Sequence, residues 1–389
     1  MKIAVISNLF YPILKGGGEK RYWEIAKRLA RKHDVHVFTL RWGNLHEEEI
    51  VERVKIHRIA PFTEELYDKK TGKRRIKPAI VFSLELLKKF DPRGFDIIEC
   101  NVFPFLHCPF IKFKAMTHKI PFVLTIHEVW GGYWKQYLEG SLKGGVGIWI
   151  EKRIANSADH IIAVSDIVKE QIIDELTVPK AKVSVVSNGV DLELTKQAIK
   201  GIRTDPNKIV YAGRLVEHKR VEVLIKAMKF VLQSNSKAHL EIVGGGPELN
   251  QLKQLAKTLQ LEKKITIHDY LESYADVLRI MASGSVFVLP SIREGQGIVL
   301  LEAMATETPT IGVRFPRSGV LNVIKDKQTG LLVEANSAKA IAEGILTYWN
   351  NPQLKEEIIT KASNFARQFD WNNITAEIER IYHQVLSKR

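Results

Sequence analysis

Short, nearly continuous Val/Ile runs alternate with amphipathic stretches along most of this chain, in two separate series. KIAVISNLF, DVHVFTL, VKIHRIA, FDIIEC, PFVLTIHE, HIIAVS and KVSVVSNG read as strands of the first series. GEKRYWEIAKRLARKH and DIVKEQIIDEL, with apolar residues at helical spacing, read as helices between them. Strands that lack polar alternation are covered on both faces. That requires helices on both sides of a parallel sheet, a doubly wound α/β layer. At Asn188-Gly189-Val190-Asp191 the pattern pauses, and LELTKQAIKGIRTDPN carries no strand of its own. A second series then runs from KIVYAGR through AHLEIVGGG, KITIHDYL, SVFVLP and PTIGV, and the chain after Ser337 reads as helix. Two similar α/β domains are therefore expected, over 1–187 and 207–370, with 188–206 as hinge. A ligand is expected in the cleft between them, at the carboxyl ends of the strands.

The chain's 389 residues, 45% hydrophobic and 26% charged, suffice for two cores. No apolar stretch approaches the roughly 20 residues of a membrane span. The opening Met1-Lys2-Ile3-Ala4 runs straight into a strand and is not expected to be a signal peptide. Cys100 and Cys108 form no metal motif in sequence and read as free thiols of a reducing cytoplasm. A net charge of +14 points to anionic partners: phosphates, nucleic acid or an acidic membrane surface. No recognition helix, zinc knuckle or RNP-type strand is evident, so nucleic acid is not an expected partner. The densest basic cluster, Lys69, Lys70, Lys73, Arg74, Arg75 and Lys77, reads as a solvated loop.

Five stretches carry chemistry. Gly16-Gly17-Gly18-Glu19 stands between the first strand and first helix, where backbone N–H groups and the helix dipole favour an anion; a flexible loop is the plainer alternative. It is neither a P-loop nor a GxGxxG fingerprint, which argues against a dinucleotide-dependent oxidoreductase. Gly213-Arg214-Leu215 ends a strand and Lys219 precedes the next helix, so an Arg fork and a Lys point charge are placed for a diphosphate, or are two surface cations. Gly244-Gly245-Gly246-Pro247-Glu248 is a tight turn that also suits close approach of a nucleotide. His127 closes an apolar strand and is either structural or at the lip of the cleft. Finally, Glu294 lies in a turn and Glu302 in the helix that follows, with Gly295 and Gly297 leaving room for a ligand. Carboxylates accept two hydrogen bonds at once, so one can hold a hexose and the other a ribose; a structural ion pair is the alternative.

Together these elements resemble the retaining glycosyltransferases of family 4, which have the GT-B fold of two Rossmann-like domains with a cleft between them. Glu294 and Glu302 match the family's Glu-x7-Glu element. Gly213-Arg214-Leu215 with Lys219, the loop Gly16 to Glu19, and Asn188 to Asp191 match three more elements in the same order. The resemblance implies an N-terminal acceptor domain and a C-terminal nucleotide-sugar domain, with the final helix, 371–389, packing back on the first. Arg214 and Lys219 are then expected to neutralise the diphosphate, assisted by the Gly17 N–H. Glu294 and the amides of Gly295, Gln296, Gly297 and Ile298 are expected to hold the transferred sugar, Glu302 the ribose, and His127 the same sugar from the first domain. Gly16, Gly18, Gly213 and Gly246 complete the expected donor site. Gln296 stands where the family has an aromatic residue, Asn322 where an acidic one is common, and Glu307-Thr308 where a Gly-containing pair is usual. These departures bear on which sugar is donated.

The implied activity is transfer of a hexose from a UDP- or GDP-linked donor to a sugar, polysaccharide or lipid-linked hydroxyl. No Asp-x-Asp chelating pair is present and the histidines are scattered, so no metal or other cofactor is expected. A sugar-nucleotide 2-epimerase of the same architecture is the alternative, and a nucleic-acid-binding protein a more distant one. The run Val129 to Ile154 mixes Trp130, Tyr133, Trp134, Tyr137 and Trp149 with Lys135, Lys152 and Arg153. It reads as an acceptor loop with a buried helix, or as a contact with an anionic membrane surface. A cytoplasmic protein, peripheral on the inner face of a membrane, is the corresponding expectation.

Overall fold

In the first strand Ile3, Ala4, Val5 and Ile6 are all buried, so both faces are covered, as a helix-flanked parallel sheet requires. The structure, a computed structural model, describes residues 1–14, 16–62, 75–271 and 273–388. Of the basic cluster, Lys69, Lys70, Lys73 and Arg74 lie outside the described residues. The described chain divides into two units: residues up to Asn188 together with the C-terminal helix, and Gly189–Asp370.

The first unit runs β1 (Lys2–Ile6), α1 (Gly17–Leu29), β2 (Asp34–Trp42), β3 (Glu48–Val51), β4 (Val54–Phe62), α2 (Lys77–Lys89) and β5 (Ile97–Asn101). It continues with α3 (Cys108–Thr117), β6 (Phe122–Ile126), α4 (Tyr133–Tyr137), α5 (Ser141–Ser157), β7 (His160–Ala163), α6 (Asp166–Asp174) and β8 (Val183–Val185). The sheet order is β3-β4-β2-β1-β5-β6-β7-β8. All neighbours are parallel except β3, which pairs antiparallel with β4. The wholly parallel sheet expected from the Val/Ile runs is corrected at this edge. Glu52 and Arg53 hold positive φ angles of 49° and 67°, the geometry of a tight hairpin turn, and Glu-Glu-Ile-Val is too short and too exposed to read as a buried strand.

The second unit runs α7 (Leu192–Ile199), β9 (Asp205–Ala212), α8 (Val221–Ser234), β10 (His239–Val243), α9 (Leu249–Thr258), β11 (Ile265–His268) and α10 (Tyr274–Ala282). Then come β12 (Gly284–Leu289), α11 (Ile298–Ala305), β13 (Thr310–Arg314), α12 (Val320–Val323), β14 (Leu331–Glu334), α13 (Ala338–Asn350) and α14 (Pro352–Arg367). Its sheet is β11-β10-β9-β12-β13-β14, all parallel. Numbered within the unit this is the order 3-2-1-4-5-6 of doubly wound folds, with the switch point between β9 and β12. The segment 188–206 contains α7, started by the Asp191 carboxylate accepting the Leu194 N–H at 2.9 Å and packed by buried Thr195 and Ala198.

The last helix, α15 (Trp371–Ser387), belongs to the first unit and packs on α1. Arg28 Nε donates to Asn372 Oδ1 at 3.1 Å, and His33 Nε2 lies 2.9 Å from Glu379 Oε1. Its face carries Trp371, Ile378 and Tyr382, all fully buried, and the Tyr382 hydroxyl donates to the carboxylate of Glu99 on β5. Among the described residues no helix is long and apolar enough to cross a membrane.

Candidate functional site

The expected site residues divide between the units. In the second, the loops after β9 and β12 leave the sheet side by side at its switch point, and the chain itself ties them together. His218 supplies the knot: its carbonyl accepts the Ile292 N–H at 3.0 Å and the Ser291 hydroxyl at 3.2 Å. Across this junction Lys219 Nζ meets Glu294 Oε1 at 2.5 Å, with both side chains nearly buried. Glu294 therefore has an ion-pair partner within the protein, and that partner is one of the two cations expected to meet the diphosphate. The Glu294 carbonyl in turn accepts the Gly319 N–H at 2.7 Å, which fixes the turn.

Arg214 follows β9 after one residue, Gly213. Its carbonyl accepts the hydroxyl of buried Tyr211 at 3.0 Å, so the backbone carrying the guanidinium is anchored to the core. Gly213 N–H donates to Val243 O at 2.9 Å, and Leu215 N–H to Gly245 O at 2.9 Å, locking the β9 loop onto the β10 loop. Gly246 is required there: with φ of +156°, a β-carbon would overlap the Leu215 carbonyl. The imidazole of His218 reports the field: burial, then the charges of Lys219, Arg214 and Arg293, push its pKa down to about 2. Three basic side chains thus act on one neutral ring at the mouth of the sheet, and the charge of Lys219 is met by Glu294.

Glu302 is 1% exposed within α11, flanked by fully buried Leu301, Ala303 and Met304. The helix starts at Gly297, whose left-handed conformation (φ 84°) turns the chain from the Glu294 loop into Ile298. Gln296 is buried beside that turn. Gly295 lies against Gly319, so closely that a β-carbon on Gly319 would strike the Gly295 carbonyl.

In the first unit α1 begins at Gly17, with Gly16 extended before it. His127 follows β6, and a β-carbon added to Gly18 would stand 3.5 Å from His127 Nε2, so the ring faces the first turn of α1. That nitrogen is buried and has no hydrogen-bond partner among the described residues. Burial, then the charge of Arg21, pushes the His127 pKa down to about 3, so the imidazole is neutral near pH 7. Arg21 is itself fully buried and donates to the carbonyl of Ser187 at 2.8 Å. The three glycines and His127 are therefore brought together, while Arg214, Lys219, Glu294 and Glu302 belong to the other unit.

Two family profiles match the chain. One, described as Glycosyl transferases group 1, covers residues 193–365, and the other, Glycosyltransferase Family 4, covers residues 15–194. The chain is a family 4-type glycosyltransferase. Relatives agree with that membership, and a solved structure agrees with the fold. An uncharacterized glycosyltransferase of Methanocaldococcus jannaschii is 27% identical over 98% of this chain and 98% of its own length. N-acetyl-alpha-D-glucosaminyl L-malate synthase of Bacillus anthracis is 25% identical over 97% of this chain and 96% of its own. The Anabaena protein HepE, solved with UDP and glucose, superposes with a TM-score of 0.77 at 18% identity, covering 99% of this chain and 100% of that one. The fold of this glycosyltransferase is GT-B, with two Rossmann-like domains.

Residue-level reading of this glycosyltransferase missed two residues at the switch point, the neutral His218 and the cation Arg293. The signal was available in their adjacency to Lys219 and Glu294, but only the sheet order shows that the two segments meet. It also missed Glu99, a buried carboxylate held by the hydroxyls of Thr125 (2.6 Å) and Tyr382, whose pKa burial raises. Glu99 sits inside an apolar strand, where sequence offers no hint of its partners.

Proposed function

We propose that this glycosyltransferase moves a hexose from a UDP- or GDP-linked donor to a hydroxyl acceptor, with retention at the anomeric carbon and without a metal ion. The observation that carries this reading is the Lys219–Glu294 pair at the switch point of the second unit, with Arg214 anchored on the neighbouring β9 loop by the Tyr211 hydroxyl. Arg214 and Lys219 neutralise the diphosphate and stabilise the charge that grows on it as the glycosidic bond breaks. Glu294, with the amides of Gly295 to Ile298, accepts and donates hydrogen bonds to the hexose, and Glu302 holds the ribose. His127, neutral and with Nε2 unengaged, hydrogen-bonds a sugar hydroxyl. The departing phosphate oxygen takes the acceptor proton, so the protein's part is positioning and charge stabilisation. The UDP found with HepE supports a nucleotide-linked donor.

A thermal-shift screen of UDP- and GDP-sugars tests the donor, since a ligand at 100 times its Kd stabilises by about 2.7 kcal/mol. Arg214→Ala is expected to lower kcat on the order of 10²-fold. Absence of any nucleotide-sugar shift, or near-wild-type turnover in that variant, overturns the assignment. Activity that is abolished by chelator and restored by Mg²⁺ overturns the metal-free part.

A lipid-linked acceptor at an anionic membrane is supported by a different observation. Three neighbouring helices of the first unit each expose apolar residues at helical spacing. They are Ile80, Leu84 and Leu87 on α2, Phe113 and Met116 on α3, and Leu142, Val146 and Trp149 on α5. Leu142 is 83% exposed and Trp149 59%. Exposed Lys77, Lys88, Lys89, Lys119, Lys143 and Arg153 stand on or beside these helices, which complements an anionic lipid surface. Of the aromatic run, Trp130, Trp134 and Tyr137 instead pack on one another, and Glu151 accepts from Trp130 N–H at 2.8 Å and Trp134 Nε1 at 2.8 Å. Co-flotation with phosphatidylglycerol vesicles at low salt, weakened by Leu142→Ser with Trp149→Ser, is expected. Failure of the wild type to float overturns it.

A further inference from the structure

The geometry points to a thiophilic divalent-metal site of the zinc class in the first unit, formed by Cys100, His107 and Cys108. In sequence the three give no metal motif; the fold assembles them where β5 ends and its connection turns back into α3. All three side chains are fully or almost fully buried. The two sulfurs are 3.8 Å apart, and Cys108 Sγ is 3.8 Å from His107 Nε2. All three donor atoms lie within 4.8 Å of one another. For tetrahedral Zn²⁺, with bonds of about 2.3 Å to sulfur and about 2.0–2.1 Å to nitrogen, the sulfurs should stand about 3.8 Å apart and each sulfur about 3.6 Å from the nitrogen. Two of the three donor pairs thus stand close to the spacing a bound ion would impose, and the third, Cys100 with His107, lies within 4.8 Å and has to draw in to meet it. The Asn101 carbonyl oxygen closes the fourth side, at 2.9 Å from His107 Nε2, 3.6 Å from Cys100 Sγ and 4.0 Å from Cys108 Sγ.

The chemistry of the donor set selects the ion. Two sulfurs and an imidazole suit zinc-like cations, not Mg²⁺ or Ca²⁺, which take oxygen ligands. On binding, each thiol releases its proton, and the imidazole proton shifts from Nε2 to Nδ1, freeing the Nε2 lone pair. Two thiolates together balance the charge of a divalent ion, so the loaded site is neutral. A neutral site is what a core lined by Phe82, Val102 and Ile111 can hold, whereas a monovalent ion such as Cu(I) would leave a net negative charge there. On binding, Nε2 gives up its hydrogen bond to the Asn101 carbonyl, and the proton moves to Nδ1, which has no partner among the described residues, a cost that the two sulfur bonds have to outweigh. The role assigned is structural: the ion would fasten the end of β5 to the start of α3, apart from the transfer chemistry.

The test is metal content of the intact chain. Protein produced in zinc-supplemented medium, passed through gel filtration in EDTA, is expected to carry about one zinc per chain by mass spectrometry. Production in cobalt is expected to give the thiolate-to-Co(II) charge-transfer band. Cys100→Ser and Cys108→Ser should each lose the metal, with circular dichroism confirming that the variants fold. A wild type that emerges without metal overturns the proposal. In that case thiol titration after denaturation without reductant says what the pair is instead: two reactive thiols mean free cysteines, none means a disulfide.

Discussion

Lys219 and Glu294 offer the most decisive perturbation, because the structure pairs two residues that the proposed reaction gives separate tasks. Their contact is 2.5 Å, and the side chains are 14% and 10% exposed. Removing one partner of a largely buried pair strands the other charge, at about 3–5 kcal/mol; replacing both with uncharged residues of similar shape is close to neutral. The residual exposure places Lys219→Met near the low end, about 3 kcal/mol. In a domain of this size about 1 kcal/mol moves Tm by about 2–4 °C, so the second unit should melt about 6–12 °C earlier. Lys219→Met with Glu294→Gln should regain most of that loss, for a coupling of about 2–3 kcal/mol in the double-mutant cycle. The cycle is read by calorimetric melting, with and without saturating UDP. Glu294→Gln releases Lys219 and should keep its stabilisation by UDP, whereas Lys219→Met should lose much of it. Additive single mutants, together with an undiminished UDP shift in Lys219→Met, would refute both the pair's energetic weight and the diphosphate role.

Glu302→Ala is expected to weaken nucleotide binding by roughly ten- to a hundredfold, the worth of hydrogen bonds to a charged group; unchanged affinity in calorimetry sinks the ribose role. His127 has a pKa lowered from 6.5 to about 3 in the fold, so between those values the unfolded chain binds a proton that the folded chain refuses. Its contribution is whole above pH 6.5 and is lost as pH falls toward 3, amounting to about 2 kcal/mol at pH 5. Urea unfolding at pH 5 and 7.5 should show that difference shrink in His127→Gln, and an unchanged difference refutes it. Tyr382→Phe removes a donor from buried Glu99 and should cost about 1–3 kcal/mol, read as earlier release of α15 in hydrogen exchange. Protection of α15 equal to wild type would show that the contact carries no weight.

Much of this protein is written in local pattern. The two series of Val/Ile runs and helical stretches gave the doubly wound sheets, and the order of Gly16–Glu19, Gly213–Lys219 and Glu294–Glu302 gave the family. Such signals are legible because each involves neighbours within a turn or a strand, where periodicity and backbone geometry act directly. What the sequence left open lies between residues far apart along the chain. The hairpin strand β3 was missed because its residues follow neither periodicity. Lys219 and Glu294 meet only because β9 and β12 are adjacent at the switch point of their sheet. Glu99 finds Tyr382 only because the final helix returns to the first unit. Cys100 and the His107-Cys108 pair close on one another through the turn after β5, and the exposed stripes of α2, α3 and α5 become neighbours through helix packing. Sequence by itself determined which elements form and which family they belong to. Tertiary structure decided which charges are paired and which faces stay uncovered, because burial and Coulomb energy depend on distance in space rather than on separation along the chain.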